Sequence, residues 1–369
     1  MNRLIFSLVF LYYSIPKIDL LSFPGLPTGI RIQDIISLSM FLLLFNGNIS
    51  KNNLILFLIL ILHSFYSIFF WGNLLSFLGV IRFIEYYAVA LGIYYLIQKG
   101  SFNIFFSSIF IYLVLISTLQ YIEIFPNFDP GRGTIFSKEF SGSFGNAAEL
   151  SYFLIASVFI FNLVNQKIDF RSFISLMVLL NGVVAPILGF LVIFWDYIKK
   201  INFLFGVLIF CSILVAIIYT RDIFFAGIDF LRLVYDNIQF SGTSFEDIKS
   251  SQRDVTDTQS LSNRVGKWTS SVSLLYQYPL GFIFGFGIYS QGGALDGGIL
   301  RFLYEFGFLW FLYLIYAMNR LSSLFLLILL SVNLLFDAYM SSVVMPFLIV
   351  AFLQLKNKEV IESRKVENH

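Results

Sequence analysis

Long apolar runs separated by short polar turns make up most of this sequence. Most of the runs approach the roughly 20 residues that an α-helix needs to cross a bilayer. Hydrophobic residues account for 58% of the chain and charged residues for 12%, which is too apolar for a soluble globular protein. The sequence therefore predicts an all-α polytopic membrane protein that forms a single integral membrane domain over residues 1–369.

The predicted transmembrane helices number about twelve. The segment Ser172–Ile198 is long for one span and short for two, and Asn181, Gly182 and Pro186 in its middle favour a tight hairpin. The predicted spans are Leu4–Ser14, Ile32–Phe45, Leu54–Trp71, Leu74–Ile97, Phe102–Phe125, Ala147–Val164, two passes through Ser172–Ile198, Ile201–Tyr219, Ile299–Met318, Leu321–Phe336 and Ala338–Leu355.

The positions of Lys and Arg predict the orientation, because short cytoplasmic loops collect these residues. Basic residues near both ends of the chain lie on the cytoplasmic side only if the number of membrane crossings is even. Counting the hairpin as two crossings makes the total even. Both termini are then cytoplasmic. The residues that support this orientation are Arg3, Lys51, Lys99, Lys167, Arg171, Lys199, Lys200, Arg320, Lys356, Lys358, Arg364 and Lys365.

Two large polar loops, at residues 126–146 and 220–296, face the periplasm in this topology, and residues 356–369 form a cytoplasmic tail. Within the second loop, Asp222–Phe240 has the pattern of a helix lying on the membrane surface. Leu261–Tyr276 has helical periodicity, and Pro279–Gly287 is predicted to be a Gly-rich turn.

Short motifs in these two loops and in the tenth span occur in a characteristic order. With them, the region from Arg31 to Leu335 resembles the O-antigen polymerase and O-antigen ligase superfamily of bacterial envelope glycosyltransferases. The motifs are Gly131–Thr134 and Gly142–Asn146 in the first loop, Ser262–Trp268, Pro279 and Gly285–Gly287 in the second, and then Asp296–Leu300 and Glu305–Gly307.

The resemblance implies a GT-C-like fold in the bacterial inner membrane and an essential arginine in each periplasmic loop. Matched onto this chain, the arginines are Arg132 and Arg264. Ligases often carry a Ser-Arg-Gly turn where this chain has Asn181–Val183. Ligases also place a histidine where this chain has Asp296. Both departures favour polymerisation of polyprenyl-pyrophosphate-linked repeat units, with ligation of polymer to lipid A core as the alternative.

The chemistry of the candidate residues agrees with this expectation. Guanidinium groups bind pyrophosphate oxygens through a bidentate fork, so Arg132 and Arg264 could stabilise the negative charge that grows on the leaving group. A carboxylate could accept the proton of the attacking hydroxyl. Asp296 is the first candidate, with Glu139 and Glu149 behind it.

Several of these residues also have plain structural interpretations. Arg132 could be a solvated turn residue, Lys267 either a substrate-binding or a solvated helix residue, and Asp296 a helix cap. Arg82 and Glu85 lie three residues apart within a predicted span, where they could form a structural ion pair or line a substrate-binding cavity. His63 is expected to be a span residue that bonds a backbone carbonyl.

Other classes of protein fit the sequence less well. A flippase or transporter needs polar residues along a membrane path, and a channel or structural subunit does not need paired loop arginines. The chain has one Cys and two His, so no metal and no cofactor are expected. The expected partners are undecaprenyl-pyrophosphate-linked glycans as donor and acceptor, membrane lipid and a chain-length regulator protein, but no nucleic acid.

Overall fold

The computed structural model of the protein describes residues 1–16, 19–21, 30–44, 51–122, 124, 143–144, 147–165, 267–268, 270–290, 295, 297–333 and 337–367. The predicted hairpin Ser172–Ile198, the span Ile201–Tyr219 and the surface helix Asp222–Phe240 lie outside these residues. The described chain is mostly helical, in agreement with the predicted all-α class.

The helices of the first half of the chain match the predicted spans to within about one helical turn. They begin and end where apolar runs meet polar residues or glycine, as at Gly100, which has a φ of 68° just after α4. These helices are α1 (Asn2–Ser14), α2 (Ile32–Leu44), α3 (Lys51–Trp71), α4 (Ser76–Gln98), α5 (Phe102–Tyr121) and α6 (Ala147–Asn165).

The C-terminal helices differ from the predicted spans. The tenth span is not one helix, because Gly307 has a φ of 85° and separates α8 from α9. The predicted turn at 279–287 begins instead with a short helix. The described helices here are α7 (Pro279–Phe284), α8 (Gly298–Phe306), α9 (Phe308–Leu321), α10 (Ser323–Val332) and α11 (Met345–Glu367).

The predicted helix Ala338–Leu355 is wrong in its first part. Residues 338–340 form a 3-10 helix, and regular helix begins only at Met345. Residues 337–344, which are not α-helical and are called here the central segment, lie inside the bundle. Hydropathy does not predict this break. The backbone groups that are left without helical partners are instead hydrogen-bonded by side chains of distant helices.

Two short strands, β1 (Asp19–Leu21) and β2 (Ile30–Arg31), pair antiparallel between α1 and α2. Asp19 lies opposite Arg31 in this pairing. These strands lie between the first two predicted spans, so the chain departs locally from an all-α structure.

The core joins α1, α5, α6 and α11 through aromatic rings. The Tyr13 ring lies 5.3 Å from that of Phe153 and 5.4 Å from that of Phe347. On α4, a side chain at Gly92 would crowd Val9 of α1 and Met40 of α2. The absence of a Cβ at this position therefore allows these helices to pack closely.

Two described helical stretches, Ser76–Gln98 and Phe102–Gln120, are long and apolar enough to span a membrane. Large apolar side chains are also exposed along helix faces. On α3 the exposed face carries Leu58, Leu62, Phe65 and Phe69, which recur at helical spacing.

The chain divides into two compact units, residues 1–190 with 280–369, and residues 191–279. In the second unit the structure describes residues 267–268 and 270–279, which are helical at 267–268 and 270–277. Here the Ser271 hydroxyl donates to the backbone carbonyl of Lys267 at 2.7 Å. The predicted helix Leu261–Tyr276 is thus confirmed over its described part.

Candidate functional site

The central segment connects four helices at one end of the first unit, called here the polar end. The hydroxyl of Tyr12 on α1 donates to the carbonyl of Ser342 at 2.9 Å, and that of Tyr86 on α4 donates to the carbonyl of Met340 at 2.8 Å. Two further residues of the segment, Ser341 and Asp337, contact Glu149 on α6 and Arg301 on α8. The C-terminal part of α1 and the N-terminal parts of α4, α6 and α8 therefore meet here.

Glu149 in the first turn of α6 is buried and bonds the central segment. The Ser341 hydroxyl donates to its Oε1 at 2.7 Å, and the same hydroxyl oxygen accepts from the amides of Val343 and Val344 at 3.3 Å each. Glu149 is 6% exposed. These bonds assign it a structural role at the polar end, and its role as a general base stays a prediction.

Arg82 on α4 forms an ion-paired group with Asp34 and Glu85. Its Nη1 lies 2.8 Å from Glu85 Oε2 and also contacts Asp34 Oδ1. Asp34 in addition accepts from the backbone amide of Arg31 at 2.9 Å, which fixes its side chain at the start of α2. The predicted Arg82–Glu85 ion pair is confirmed.

The same three side chains keep some accessible surface, with 14% of Arg82, 16% of Asp34 and 18% of Glu85 exposed. The substrate-binding alternative for Arg82 therefore stays open beside the structural one. Asp34 was not singled out from the sequence, since it lies 48 positions before Arg82 and only packing of α2 on α4 brings the two together.

Arg301 on α8 holds a second group of charges that is more deeply buried. Its Nε lies 2.9 Å from Glu305 Oε1, and its Nη1 lies 2.7 Å from Asp337 Oδ2. The Tyr339 hydroxyl donates to Glu305 Oε2 at 2.9 Å. Arg301 is 4% exposed and Glu305 is fully buried. Each carboxylate is thus paired and hydrogen-bonded, as burial of charge requires.

Asp337 also fixes the backbone that leads into α8. Its Oδ2 accepts from the amide of Leu295 at 2.9 Å and its Oδ1 from the amide of Gly297 at 3.1 Å. Gly297 is the N-cap of α8. Asp296 lies between these two residues in sequence, so Asp337 binds the chain on either side of the predicted base.

Residues 284–289, called here the strap, leave the helix after Phe284 and lie between α3 and α8. On one side the carbonyls of alternate residues accept side-chain hydrogen bonds: Phe284 from His63 at 3.0 Å, Phe286 from Ser67 at 2.8 Å and Ile288 from Asn73 at 2.9 Å. The prediction that His63 bonds a backbone carbonyl is confirmed. Because a carbonyl only accepts, His63 Nε2 carries the hydrogen in this bond.

The other side of the strap bonds the C-terminal end of α8. The amides of Phe286 and Gly287 donate to the carbonyls of Tyr304 and Glu305 at 2.8 and 2.9 Å, which caps these two carbonyl groups. Gly287 has a φ of 96°, and a side chain there would collide with Ser67. Glycine is thus required for the close approach to α3.

Tyr289 is the last residue of the strap and lies near both ionic groups, since the charges of Arg82 and of Arg301 both act on its phenol. Its amide donates to Glu305 Oε1 at 3.0 Å, and the Arg301 guanidinium lies 5.8 Å from its ring centre. It has a φ of 61°, the one positive φ at a non-glycine residue in the part of the chain that the structure describes. Such strain persists only where surrounding contacts impose it.

Burial keeps the Tyr289 phenol protonated. Burial raises its pKa, while the positive charges of Arg82 and Arg301 act in the opposite direction. Because burial is the largest influence and the net shift is upward, the hydroxyl is neutral at physiological pH. It can therefore both donate and accept a hydrogen bond.

Most of the remaining predicted site residues are not described by the structure. Arg132, Glu139, Arg264 and Asp296 lie outside the described residues. Lys267 belongs to the second unit and is half-buried. Across the described ranges no three His, Cys, Asp or Glu residues are grouped as a metal site.

Sequence reasoning missed Arg301, although a signal was present. Arg301 and Glu305 stand four residues apart inside an apolar run, the spacing at which helical side chains pair. An ionisable pair at that depth is expected to be functional or structural rather than incidental. The third member, Asp337, requires the return of the chain after α10 and has no local signal.

Comparison with models of protein families, with curated proteins and with solved structures found no match. The resemblance to the O-antigen polymerase and ligase superfamily therefore stays a prediction from the motifs.

Proposed function

We propose that this protein polymerises polyprenyl-pyrophosphate-linked oligosaccharide repeat units into O-antigen or a related surface polysaccharide. It acts as a multi-pass glycosyltransferase of about twelve spans at the periplasmic face of the bacterial inner membrane. The proposal combines the motif resemblance with the concentration of polar chemistry at one end of the first unit.

The observation that carries the proposal is that described residues at the C-terminal ends of both polar loops lie at the polar end. The first loop returns to α6 beside the central segment, where the Ser143 hydroxyl donates to the carbonyl of Tyr13 at 2.6 Å. The second loop returns at Leu295 and Gly297, which are held by Asp337. The loops that carry Arg132 and Arg264 therefore rejoin the first unit at the same end.

The exposed apolar faces support the membrane location. Soluble proteins rarely expose contiguous apolar patches beyond a few hundred Å², whereas α3 exposes Leu58, Leu62, Phe65 and Phe69 along one face. On α9, Leu309 is 51% exposed. Lipid acyl chains would cover such side chains without cost.

In the proposed reaction, a hydroxyl of the acceptor repeat unit attacks the anomeric carbon of the donor glycan. The bond between that carbon and the pyrophosphate oxygen breaks, and polyprenyl pyrophosphate leaves with the bonding electrons. Arg132 and Arg264 stabilise the leaving anion. Asp296 takes the hydroxyl proton, and Asp337 holds the backbone on both sides of that carboxylate.

A strain that lacks the gene tests the proposal. A polymerase deletion still allows single repeat units to be finished, flipped and attached to their final acceptor. The expected surface glycan therefore carries one repeat unit and shows no ladder on a gel. Long polymer stranded on the carrier lipid would instead identify a ligase and contradict the polymerase assignment.

Substitution of the loop arginines tests the mechanism in that strain. Arg132→Ala and Arg264→Ala should each abolish the ladder while the protein stays in the membrane, and lysine should restore it poorly because a point charge lacks the bidentate fork. Arg320→Ala at the exposed C-terminal end of α9 is the matched control and should keep the ladder. A full ladder from both lysine variants would contradict the pyrophosphate assignment.

A further inference from the structure

The Tyr289 hydroxyl differs from those of Tyr12, Tyr86 and Tyr339 at the polar end. The hydroxyls of Tyr12, Tyr86 and Tyr339 each donate to a named protein acceptor. Within the described ranges no residue hydrogen-bonds the Tyr289 hydroxyl, although the residue is only 8% exposed. It is also not one of the enclosed polar atoms that lack a partner. A hydroxyl in this position has its hydrogen-bonding capacity available to a ligand.

The backbone holds Tyr289 in place at an energetic cost. A positive φ at a bulky residue is strained, and the residues of the strap that precede Tyr289 are hydrogen-bonded to α3 and α8. The contacts of the strap therefore fix the position of the phenol before any ligand arrives. A pre-formed position of this kind lowers the entropic cost of binding.

The charges around Tyr289 favour a neutral, hydroxyl-rich ligand over an anion. The guanidinium of Arg82 already contacts Asp34 and Glu85, and that of Arg301 contacts Glu305 and Asp337. Each arginine is thus matched by carboxylates and does not present an unbalanced positive charge. Carboxylate oxygens accept hydrogen bonds from sugar hydroxyls, and a phenol can donate to or accept from them.

We propose that Tyr289 and the partly exposed Arg82–Asp34–Glu85 group form a glycan-binding subsite, in which the Tyr289 hydroxyl bonds a sugar hydroxyl of the repeat unit. This inference rests on the proposed function, since it assigns the sugar part of the same substrate. In this proposal the subsite binds the glycan, while the loop arginines bind the pyrophosphate.

The test compares two tyrosine-to-phenylalanine substitutions that each remove one oxygen atom. Tyr289→Phe removes a hydroxyl without a described partner. The matched control, Tyr112→Phe on α5, removes a hydroxyl that donates to the carbonyl of Ser14 at 2.6 Å. The probe is the lipid-linked repeat units extracted from the strain that lacks the gene. Binding to the purified full-length protein is followed by the shift of its melting temperature.

Tyr289→Phe should keep the melting temperature of the wild type without probe, but should need about tenfold more probe for half the shift, the equivalent of one lost hydrogen bond. Tyr112→Phe should lower the melting temperature and bind the probe normally. In the complemented deletion strain, Tyr289→Phe should shorten or weaken the ladder.

If Tyr289→Phe reached half the shift in melting temperature at the same probe concentration as the wild type, the proposed subsite would be wrong. A lowered melting temperature of Tyr289→Phe without probe would also overturn it, because the hydroxyl would then have a protein partner. Failure of the proposed function gives a different result, since the wild-type protein itself would show no shift with the probe and deletion would leave the ladder unchanged.

Discussion

Removal of the Arg301 side chain should destabilise the protein severely. Arg301 is the cation between Glu305 and Asp337, at 2.9 and 2.7 Å, and it is 4% exposed. Arg301→Met keeps most of the side-chain volume and removes only the charge and the donors. Both carboxylates then remain in the interior without the group that compensates them.

The magnitude follows from this burial. Removing one partner of a buried ion pair typically costs about 3–5 kcal/mol, which is roughly two to four powers of ten in the ratio of folded to unfolded protein. The double variant Arg301→Met with Asp337→Asn should cost less than the sum of the single variants. In that variant one of the stranded charges is gone, while the Asn oxygen still accepts a backbone amide.

The assay is the melting temperature of the purified full-length protein in detergent, followed by intrinsic fluorescence. Arg320→Met is the matched control because Arg320 is exposed at the end of α9, and it should change stability by no more than about 0.5 kcal/mol. A melting temperature of Arg301→Met equal to that of the control would refute the argument. Strict additivity of the double variant would refute the coupling between Arg301 and Asp337.

Two further predictions concern the strap and the topology. Gly287→Ala should lower the melting temperature much more than Gly72→Ala, because both positions have positive φ but only at Gly287 would the new Cβ collide with Ser67. Equal effects would mean that the strap does not pack closely on α3. A reporter that is active only in the periplasm should be active when fused after Ser250 and inactive when fused after Lys200. An inactive reporter at Ser250 would contradict the predicted hairpin.

The sequence predicts the helices α1–α6 well because their ends coincide with changes in hydropathy. It does not predict the break at Gly307, since a glycine inside an apolar run is tolerated in a continuous helix. The conformation at Gly307 is accompanied by close packing against the strap that precedes α8, and a side chain there would collide with the backbone of residues 283–285. Such a contact between segments leaves no local pattern.

The site likewise divides into parts that a local sequence pattern predicts and parts that depend on contacts between distant segments. Arg82 and Glu85 are recognisable as a pair because they lie one turn apart on α4. Asp34 and Asp337 are not recognisable, because their partners Arg82 and Arg301 lie 48 and 36 positions away. The central segment likewise looks like the start of a helix by hydropathy. Only the hydroxyls of Tyr12 and Tyr86 on other helices reveal how two of its backbone carbonyls are satisfied.

Reconstitution of the reaction tests the central claim most directly. The purified protein is placed in liposomes with the lipid-linked repeat units extracted from the deletion strain, and the glycans are separated by length on a gel. The account predicts that wild-type protein lengthens the glycan on its carrier into a ladder and that Arg264→Ala leaves single units. Single units with the wild-type protein, or glycan transferred only to added lipid A core, would contradict the assignment as a polymerase.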